Sequence, residues 1–284
     1  MKQTMRTRRM VEASLFVALA TVLSILKIAE LPYGGSITLA SMFPILLLSY
    51  RHGVRWGLGG GIVYGVLQQL LGLNNLSYFT TWQSILAIIF LDYVIAFAVV
   101  GLGGIFRRAL KEQAISLATG AVFVCFLRYL CHVISGATVW AGLSIPTGAA
   151  LIYSLIYNAT YMIPETIVLV AVAYYLGTLL DFRRDQPVRL ARARVALPEA
   201  RAMSLLAGVF ALIGIVVDVS LIFPRLQNAE TGKFDLSGLA VTNGFAGSVW
   251  LPVAIVSGVC ALICAVLLFL RAGMMRAAEK EQNS

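Results

Sequence analysis

The sequence predicts an all-α integral membrane protein, and three observations support this fold class. Hydrophobic residues make up 60% of the 284 residues and charged residues only 12%, whereas soluble domains are about half apolar and about a quarter charged. Apolar runs that approach the roughly 20 residues needed to cross the bilayer core recur along the chain. These runs are continuously apolar and do not alternate at every second residue, which disfavours a β-barrel.

Eight apolar runs predict eight transmembrane helices, six in a first group and two after a polar break. We place them at residues 10–29, 36–50, 56–73, 82–105, 115–137, 148–181, 203–223 and 249–270. The first run continues through Thr21 to Leu26 beyond a segment that resembles a cleavage site, so we expect a retained helix and not a signal peptide. Four cysteines fall inside predicted helices without C-x-x-C spacing, and we interpret them as packing residues and not metal ligands.

The basic residues predict the orientation. Of the 22 lysines and arginines, 18 fall in alternate loops or in the two tails. This is the pattern of the positive-inside rule, and with eight helices it places both termini in the cytoplasm. The net charge of +9 is therefore explained by membrane topology, and we expect no nucleic-acid partner.

A polar break divides the chain. The segment DFRRDQPVRLARARVALPEAR, residues 181–201, is rich in arginine and contains two prolines. We predict a six-helix unit at 1–182, a basic cytoplasmic linker at 183–202 and a two-helix extension at 203–284. Nothing in the extension indicates its role. No G-x-x-x-x-G-K-[ST] motif is present, so a nucleotide would not be hydrolysed through a P-loop of this chain.

Five acidic or basic residues lie inside the predicted helices and away from their ends: Asp92, Arg128, His132, Glu165 and Asp218. Each such residue costs a few kcal/mol in a bilayer unless it finds a partner, water or a ligand. We interpret Arg128 and Asp92 as a structural ion pair that offsets this cost. Asp218, the only such residue of the extension, is left without an assigned partner.

A polar and aromatic cluster is predicted near the outer ends of the fifth and sixth helices. Its members on the fifth helix recur at four-residue steps and those on the sixth begin that helix: His132, Gly136, Trp140, Tyr153, Tyr157, Asn158 and Tyr161. Trp and Tyr gather at membrane interfaces for general reasons, which is the simpler explanation of each aromatic alone. Together with Asp92, however, the set suits a flat, cationic ligand that forms hydrogen bonds.

Five segments carry a resemblance to a known family. They are PILLLSYRHG, WGLGGGIVYGVL, FLDYVIAF, LRYLCHVISGATVW and IYSLIYNAT, in this order within the first 182 residues. The chain resembles the thiamin-specific substrate-binding (S) components of energy-coupling-factor (ECF) vitamin transporters. That family encloses a vitamin near the outer face of six helices, so the resemblance implies the same fold here.

The resemblance also implies roles for individual residues. Asp92 matches the family's pyrimidine-binding carboxylate, and Tyr93 lies beside it. The ligand-lining residues of the fifth helix match His132, Gly136 and Trp140, and those of the sixth match Tyr153 and Asn158. Two departures are evident. The family has Glu at the position of Asp92, and its first-loop Trp is replaced by Gly34-Gly35. One aromatic surface for stacking on the ligand is therefore missing, unless Tyr33, Tyr78 or Trp82 supplies it.

The resemblance implies a function without catalysis, metal or cofactor: capture of thiamin as one subunit of an uptake complex in the cell membrane. The partners would be a transmembrane coupling subunit and two ATPases, with Ser14 and Ala18 of the first helix at the contact. Three alternatives stay open. They are an S component for a related heterocycle such as a thiamin precursor, a solitary ion-coupled carrier with Asp92, His132 and Glu165 as a proton relay, and a membrane enzyme using His132 and Asp92.

Overall fold

The fold is helical, as the composition predicts. The computed structural model describes residues 2–31, 34–141, 150–190, 198–222 and 245–283, together with residues 225 and 239. Within these ranges five helical segments are long and apolar enough to cross a membrane: Trp82–Arg107, Gln113–Thr138, Ala150–Leu179, Ala202–Ile222 and Trp250–Met275. The chain forms two compact units, Met1–Arg189 and Leu190–Ser284. The prediction of an all-α membrane protein is confirmed.

The start of the chain differs from the prediction. Helix α1 covers Lys2–Ile25, and two short antiparallel strands follow it, β1 at Lys27–Glu30 and β2 at Ser36–Thr38. The predicted helix over 36–50 is therefore wrong at its start, because residues 36–38 pair with β1. Helix α2 begins only at Phe43 and ends at His52.

Helix α2 is short and buried. Its ten residues rise about 15 Å, roughly half the thickness of the bilayer core. All eight residues from Phe43 to Tyr50 are buried. An apolar run that is enclosed by its neighbours gives the same hydropathy signal as one that faces lipid, so the sequence did not reveal this difference.

Helix α3, Val54–Leu71, packs against the fourth helical segment through three glycines. A Cβ at Gly57 would lie 2.4 Å from the Gly101 carbonyl oxygen, and one at Gly61 would lie 2.5 Å from the Phe97 carbonyl oxygen. At Gly65 the Tyr93 carbonyl oxygen would be 2.7 Å away. Only glycine permits so close an approach of two backbones, and this contact fixes the position of the segment that carries Asp92.

The fourth segment changes its helical geometry along its length. Helix α4, Trp82–Ile88, passes into a π-helix at Ile89–Ile95, then into α5 at Ala96–Ala98 and 3₁₀ turns at Val99–Leu102 and Ile105–Arg107. The π-helix contains Asp92 and Tyr93. Such widened turns are rare and occur frequently at functional sites.

The last two long helices of the first unit pack side by side. They are α6, Gln113–Thr138, and α7, Ala150–Leu179. Strands β3, Leu180–Asp181, and β4, Val188–Arg189, then form a short antiparallel hairpin. Residues 183–189, which we predicted as the start of the linker, group with the first unit; the predicted boundaries at 182 and 202 remain predictions.

The second unit is a helical hairpin. Helix α8 covers Pro198–Ile222 and α9 covers Trp250–Asn283, so the last helix is longer than the predicted 249–270. The hydroxyl of Ser257 donates a hydrogen bond to Oδ2 of Asp218 over 2.5 Å. Asp218 therefore finds a partner on the neighbouring helix of its own unit.

Candidate ligand-binding site

Asp92 is the centre of the candidate site. Its Oδ1 lies 2.9 Å from Nδ1 of His132, and its Oδ2 accepts hydrogen bonds from Oγ of Ser135 at 2.7 Å and Nε1 of Trp140 at 3.1 Å. All three donors come from α6 or from the turn that follows it. The carboxylate side chain is 14% exposed, so it is held in place but not sealed.

His132 is oriented by this contact. A carboxylate only accepts hydrogen bonds, so Nδ1 of His132 carries the proton that is shared with Asp92. In the neutral ring Nε2 then presents a lone pair. Nε2 is buried, and no partner for it occurs among the residues that the structure describes. A hydrogen-bond donor from a ligand would satisfy it.

Trp140 joins the carboxylate to an aromatic cluster. Its ring meets Phe79 edge-on, with centroids 4.7 Å apart, and lies 5.9 Å from Tyr78 at an interplanar angle of 53°. Tyr93 and Tyr153 pack against the same cluster. The predicted residues Trp140 and Tyr153 are therefore close together, and Nε1 of Trp140 contacts the Asp92 carboxylate.

Asn158 is fixed beneath the histidine. Its Nδ2 donates to the carbonyl oxygen of Ser154 over 2.8 Å and to that of His132 over 3.2 Å. Its Oδ1 accepts from the hydroxyl of Tyr161 over 2.6 Å. The ring of Tyr161 lies 6.0 Å from that of His132. The bond to the His132 carbonyl oxygen connects α7 to α6 at the histidine that contacts Asp92.

The remaining predicted residues differ in how they relate to the carboxylate. Gly136 is buried on α6, one turn beyond His132. The hydroxyl of Tyr93 accepts from Nδ2 of Asn75 over 3.0 Å, so it is directed to the 3₁₀ turn Leu73–Tyr78.

Ser135, which donates to Asp92, was not among the predicted site residues. Its spacing of three residues from His132 places both side chains on one helix face, and that signal was present in the sequence.

The space around Gly35 in the first loop accounts for the absence of the family's tryptophan from this loop. A Cβ at Gly35 would lie 2.8 Å from Cδ1 of Tyr161 and 3.2 Å from the hydroxyl of Tyr157, so the tyrosines of α7 occupy the space of a larger side chain. Of the three substitutes considered, Tyr78 contacts Trp140, Trp82 is 67% exposed, and Tyr33 lies outside the described residues.

Arg128 does not form the expected ion pair. Its guanidinium lies over the ring of Phe97, 4.4 Å from the centroid, and Nη1 contacts Sδ of Met42 at 3.3 Å. Across the described ranges no carboxylate lies within ion-pair distance of this guanidinium, so our interpretation of an Arg128–Asp92 pair is wrong. The aromatic face and the sulfur replace the carboxylate as electron-rich neighbours.

Glu165 belongs to a separate network. Its carboxylate accepts hydrogen bonds from the backbone N–H of Thr38 at 2.6 Å and from Oγ1 of Thr38 at 2.7 Å. The residue is 1% exposed. These bonds attach strand β2 to α7. In the described part of the chain no hydrogen bond links Glu165 to His132 or Asp92, which disfavours the proposed proton relay.

The predicted docking residues lie on the outer side of α1. Ser14 and Ala18 are exposed, and Oγ of Ser14 donates to the carbonyl oxygen of Met10 in its own helix over 3.0 Å. Val22, one turn further, is 57% exposed. The positions are thus accessible, and their role in docking remains a prediction.

Comparison with known proteins gives one consistent result. The family model described as "Thiamine transporter protein (Thia_YuaJ)" matches residues 10–181. The thiamine transporter ThiT of Bacillus subtilis (strain 168) is 38% identical over 180 residues, which cover 59% of this chain and 89% of that protein. A solved structure of ThiT from Listeria monocytogenes matches with a TM-score of 0.51 at 21% identity, over 61% of this chain and 94% of the other.

The structural match supports the fold alone, because the identity is low. The family model, however, matches more than half of the chain, and it covers the segments on which the resemblance was based. The resemblance stated from the sequence is confirmed. The chain is a multi-pass membrane protein that belongs to the thiamine transporter protein family.

Proposed function

We propose that this protein captures thiamin as the substrate-binding subunit of an ECF-type uptake complex in the cell membrane. The observation that carries the proposal is the Asp92 carboxylate, which three donors hold beside an aromatic cluster. An ionisable residue within a membrane segment is a candidate for a functional site. Membership of the family supports thiamin as the ligand.

The site residues suit the two rings of thiamin. The aminopyrimidine would donate a hydrogen bond to Asp92, and such a bond to a charged acceptor is about twice as strong as one between neutral groups. The lone pair of His132 Nε2 would accept a second donor. The permanent positive charge of the thiazolium would lie against aromatic faces from Trp140, Tyr78 and Tyr153, a contact that contributes roughly 0.5 to 2 kcal/mol.

We further propose that energy comes from partner proteins. The sequence has no P-loop motif, and the family resemblance implies a transmembrane coupling subunit and two ATPases. Ser14 and Ala18 are exposed on α1, and small residues at four-residue spacing permit close helix contact within a membrane. The positive-inside pattern supports cytoplasmic termini, on the side where the ATPases would act.

The ligand is tested by quenching of tryptophan fluorescence in the detergent-purified protein. Thiamin, a pyrimidine precursor, riboflavin and biotin are titrated separately. We expect saturable quenching by thiamin that is lost in Trp140→Phe, because this variant removes the indole that reports binding, and weakened in His132→Ala, because this variant removes a contact to Asp92. Saturable binding of riboflavin or biotin with equal affinity, or no response to thiamin, would overturn the proposal.

Docking is tested by bulky substitutions on α1. Ser14→Phe combined with Ala18→Phe should abolish thiamin uptake in cells that contain the partner subunits, and thiamin binding by the purified variant should persist. Ser220→Phe is a matched control, because Ser220 is also exposed and also donates to its own helix, at Val216 O over 2.7 Å. Loss of binding in the α1 variant, or unchanged uptake, would contradict a docking role.

A second candidate ligand is a pyrimidine precursor of thiamin. Two observations favour it: Asp92 is one methylene shorter than the glutamate of the family, and Gly35 leaves no room for a tryptophan next to Tyr161. A site with fewer contacts to the thiazolium would discriminate less against a ligand that lacks this ring. Tighter binding of the precursor than of thiamin in the titration would select this alternative.

A further inference from the structure

A polar cavity lies in the first unit among residues of its basic loops, apart from the residues that contact Asp92. It is an open cavity of about 110 Å³, several times the roughly 10–15 Å³ that admits one water molecule. Five arginines line it: Arg8, Arg9, Arg51, Arg183 and Arg184. None of these residues contributes to the thiamin site, so the cavity requires a separate explanation.

Arg51 is the structural centre of this cavity. Its Nε binds the carboxylate of Glu12, and its Nη atoms donate to the carbonyl oxygens of Phe182 at 2.8 Å, Arg184 at 3.1 Å and Asp185 at 3.0 Å. The Arg51 side chain is only 4% exposed. Its donors are committed to holding the turn after β3 against α1 and α2, so it shapes the cavity and is not available to a ligand.

The charges around the cavity do not balance. Arg51 pairs with Glu12, Arg184 with Asp181 at 3.1 Å, and Arg8 with Asp185 at 3.3 Å. These three pairs leave two of the five guanidinium groups, those of Arg9 and Arg183, without a carboxylate in the part of the chain that the structure describes. An anion would neutralise this surplus of positive charge.

Hydrogen-bond donors also remain for such an anion. Arg183 uses Nε for the hydroxyl of Tyr50 at 3.0 Å and Nη2 for the carbonyl oxygen of Lys111. Within the described residues, the side chain of Arg184 donates through Nε to Asp181, and it is 67% exposed. For Arg9 no bond is seen within the described ranges. Planar guanidinium groups with paired free N–H donors match the geometry of phosphate oxygens.

The position of the cavity points to the membrane surface. Arg8 and Arg9 directly precede the apolar part of α1, which begins at Met10. Arginines at the end of a membrane helix lie at the level of the lipid headgroups. Basic pockets at this level on the cytoplasmic side bind anionic headgroups through their phosphates.

We propose that this cavity is a binding site for a phosphate group, and that its ordinary occupant is the headgroup of an anionic phospholipid of the inner leaflet. The phosphate oxygens accept hydrogen bonds from Arg9, Arg183 and Arg184, while the acyl chains remain in the bilayer beside α1. The proposal does not depend on thiamin, because it concerns residues apart from those that contact Asp92.

The test compares lipid binding by three forms of the full chain. They are the natural protein, a cavity variant with Arg9→Gln and Arg184→Gln, and a control with Arg55→Gln and Arg108→Gln. Arg55 and Arg108 are exposed, do not line the cavity, and lie close in sequence to α2 and to Arg107, whose guanidinium contacts Tyr50. Native mass spectrometry measures retention of phosphatidylglycerol and of phosphatidylcholine during a lipid titration.

We expect phosphatidylglycerol to bind the natural protein and the control with similar affinity, and the cavity variant about 30-fold more weakly, since two cationic contacts are lost. Phosphatidylcholine should not distinguish the three forms. Equal affinity of the cavity variant and the control for phosphatidylglycerol would overturn the proposal. So would a natural protein that does not discriminate between the two lipids.

Inorganic phosphate distinguishes the two sources of the same chemistry. Displacement of phosphatidylglycerol by millimolar phosphate in the natural protein would support a free phosphate as occupant, and resistance to it would support the headgroup. Unchanged thiamin binding shows that each variant is folded. If the double variant loses thiamin binding, Arg9→Gln alone takes its place, because it removes none of the hydrogen bonds or ion pairs described within the protein around this cavity.

Discussion

Replacement of Asp92 by asparagine gives the sharpest test of the thiamin site. The two side chains have nearly the same shape, so Asp92→Asn changes charge and donor pattern with little change in packing. The carboxylate now receives three donors, from His132, Ser135 and Trp140. An asparagine has one carbonyl oxygen in place of two carboxylate oxygens. Its amide nitrogen cannot accept a hydrogen bond, so the donors that face this nitrogen would lose their acceptor.

The magnitude follows from the bond that is lost. A hydrogen bond to a charged group contributes roughly 1.5 to 3 kcal/mol. At 1.4 kcal/mol for each tenfold change, loss of one such bond to the ligand weakens thiamin binding roughly 10- to 150-fold. The disturbed contacts to Ser135 and Trp140 add to this loss, so we expect the upper part of the range.

The assay is fluorescence titration of the purified variants, with thermal unfolding to show that they are folded. Asp92→Glu is the matched control, because it keeps the charge and introduces the residue of the family. We expect it to bind thiamin within about tenfold of the natural protein, a loss of at most about 1.4 kcal/mol. If Asp92→Asn binds thiamin as well as the natural protein does, the assignment of Asp92 to the ligand is refuted.

Three further predictions concern residues that support the site. Ser135→Ala removes one donor to Asp92 and should weaken thiamin binding about fivefold, in line with roughly 1 kcal/mol for one hydrogen bond, with little change in melting temperature. Gly35→Ala places a Cβ 2.8 Å from Tyr161 and should destabilise the protein by about 1 to 3 kcal/mol, whereas Gly59→Ala, whose Cβ would meet open space, should not. Glu165→Leu removes the acceptors of both bonds from Thr38 and should lower stability by about 1 to 3 kcal/mol in thermal unfolding. A wild-type affinity for Ser135→Ala, or a wild-type melting temperature for either of the other two, would contradict the contact concerned.

The long apolar helices were predictable because the hydropathy of a segment reflects the apolar surface that it places in the bilayer. The helices Gln113–Thr138 and Ala150–Leu179 begin and end within two residues of the prediction. The start of α2 was not predictable in this way. Ser36–Thr38 is apolar enough to continue a hydrophobic window, and its pairing with β1 depends on a contact that no local pattern records.

The candidate site was predicted in part. The four-residue spacing of His132 and Gly136 is a property of one helix and is visible in the sequence, and Trp140 continues the series into the turn after α6. The partner of Arg128 is not such a property, because it depends on which neighbouring helix the guanidinium faces. The structure places Phe97 and Met42 there instead of Asp92. The π-helix at Ile89–Ile95 likewise has no signature in the hydropathy.

The three bonds to Asp92 also set how a ligand can be accommodated. A carboxylate offers about four lone-pair positions, and three of them are already occupied by protein donors. An incoming ligand can therefore add one N–H without rearrangement. A guanidinium or amidinium, which presents two parallel N–H groups, would first have to displace a protein donor, and the 3.1 Å contact from Trp140 is the longest of the three. The bonds already made to this carboxylate thus favour a ligand with a single N–H over bidentate cations that charge alone would attract equally.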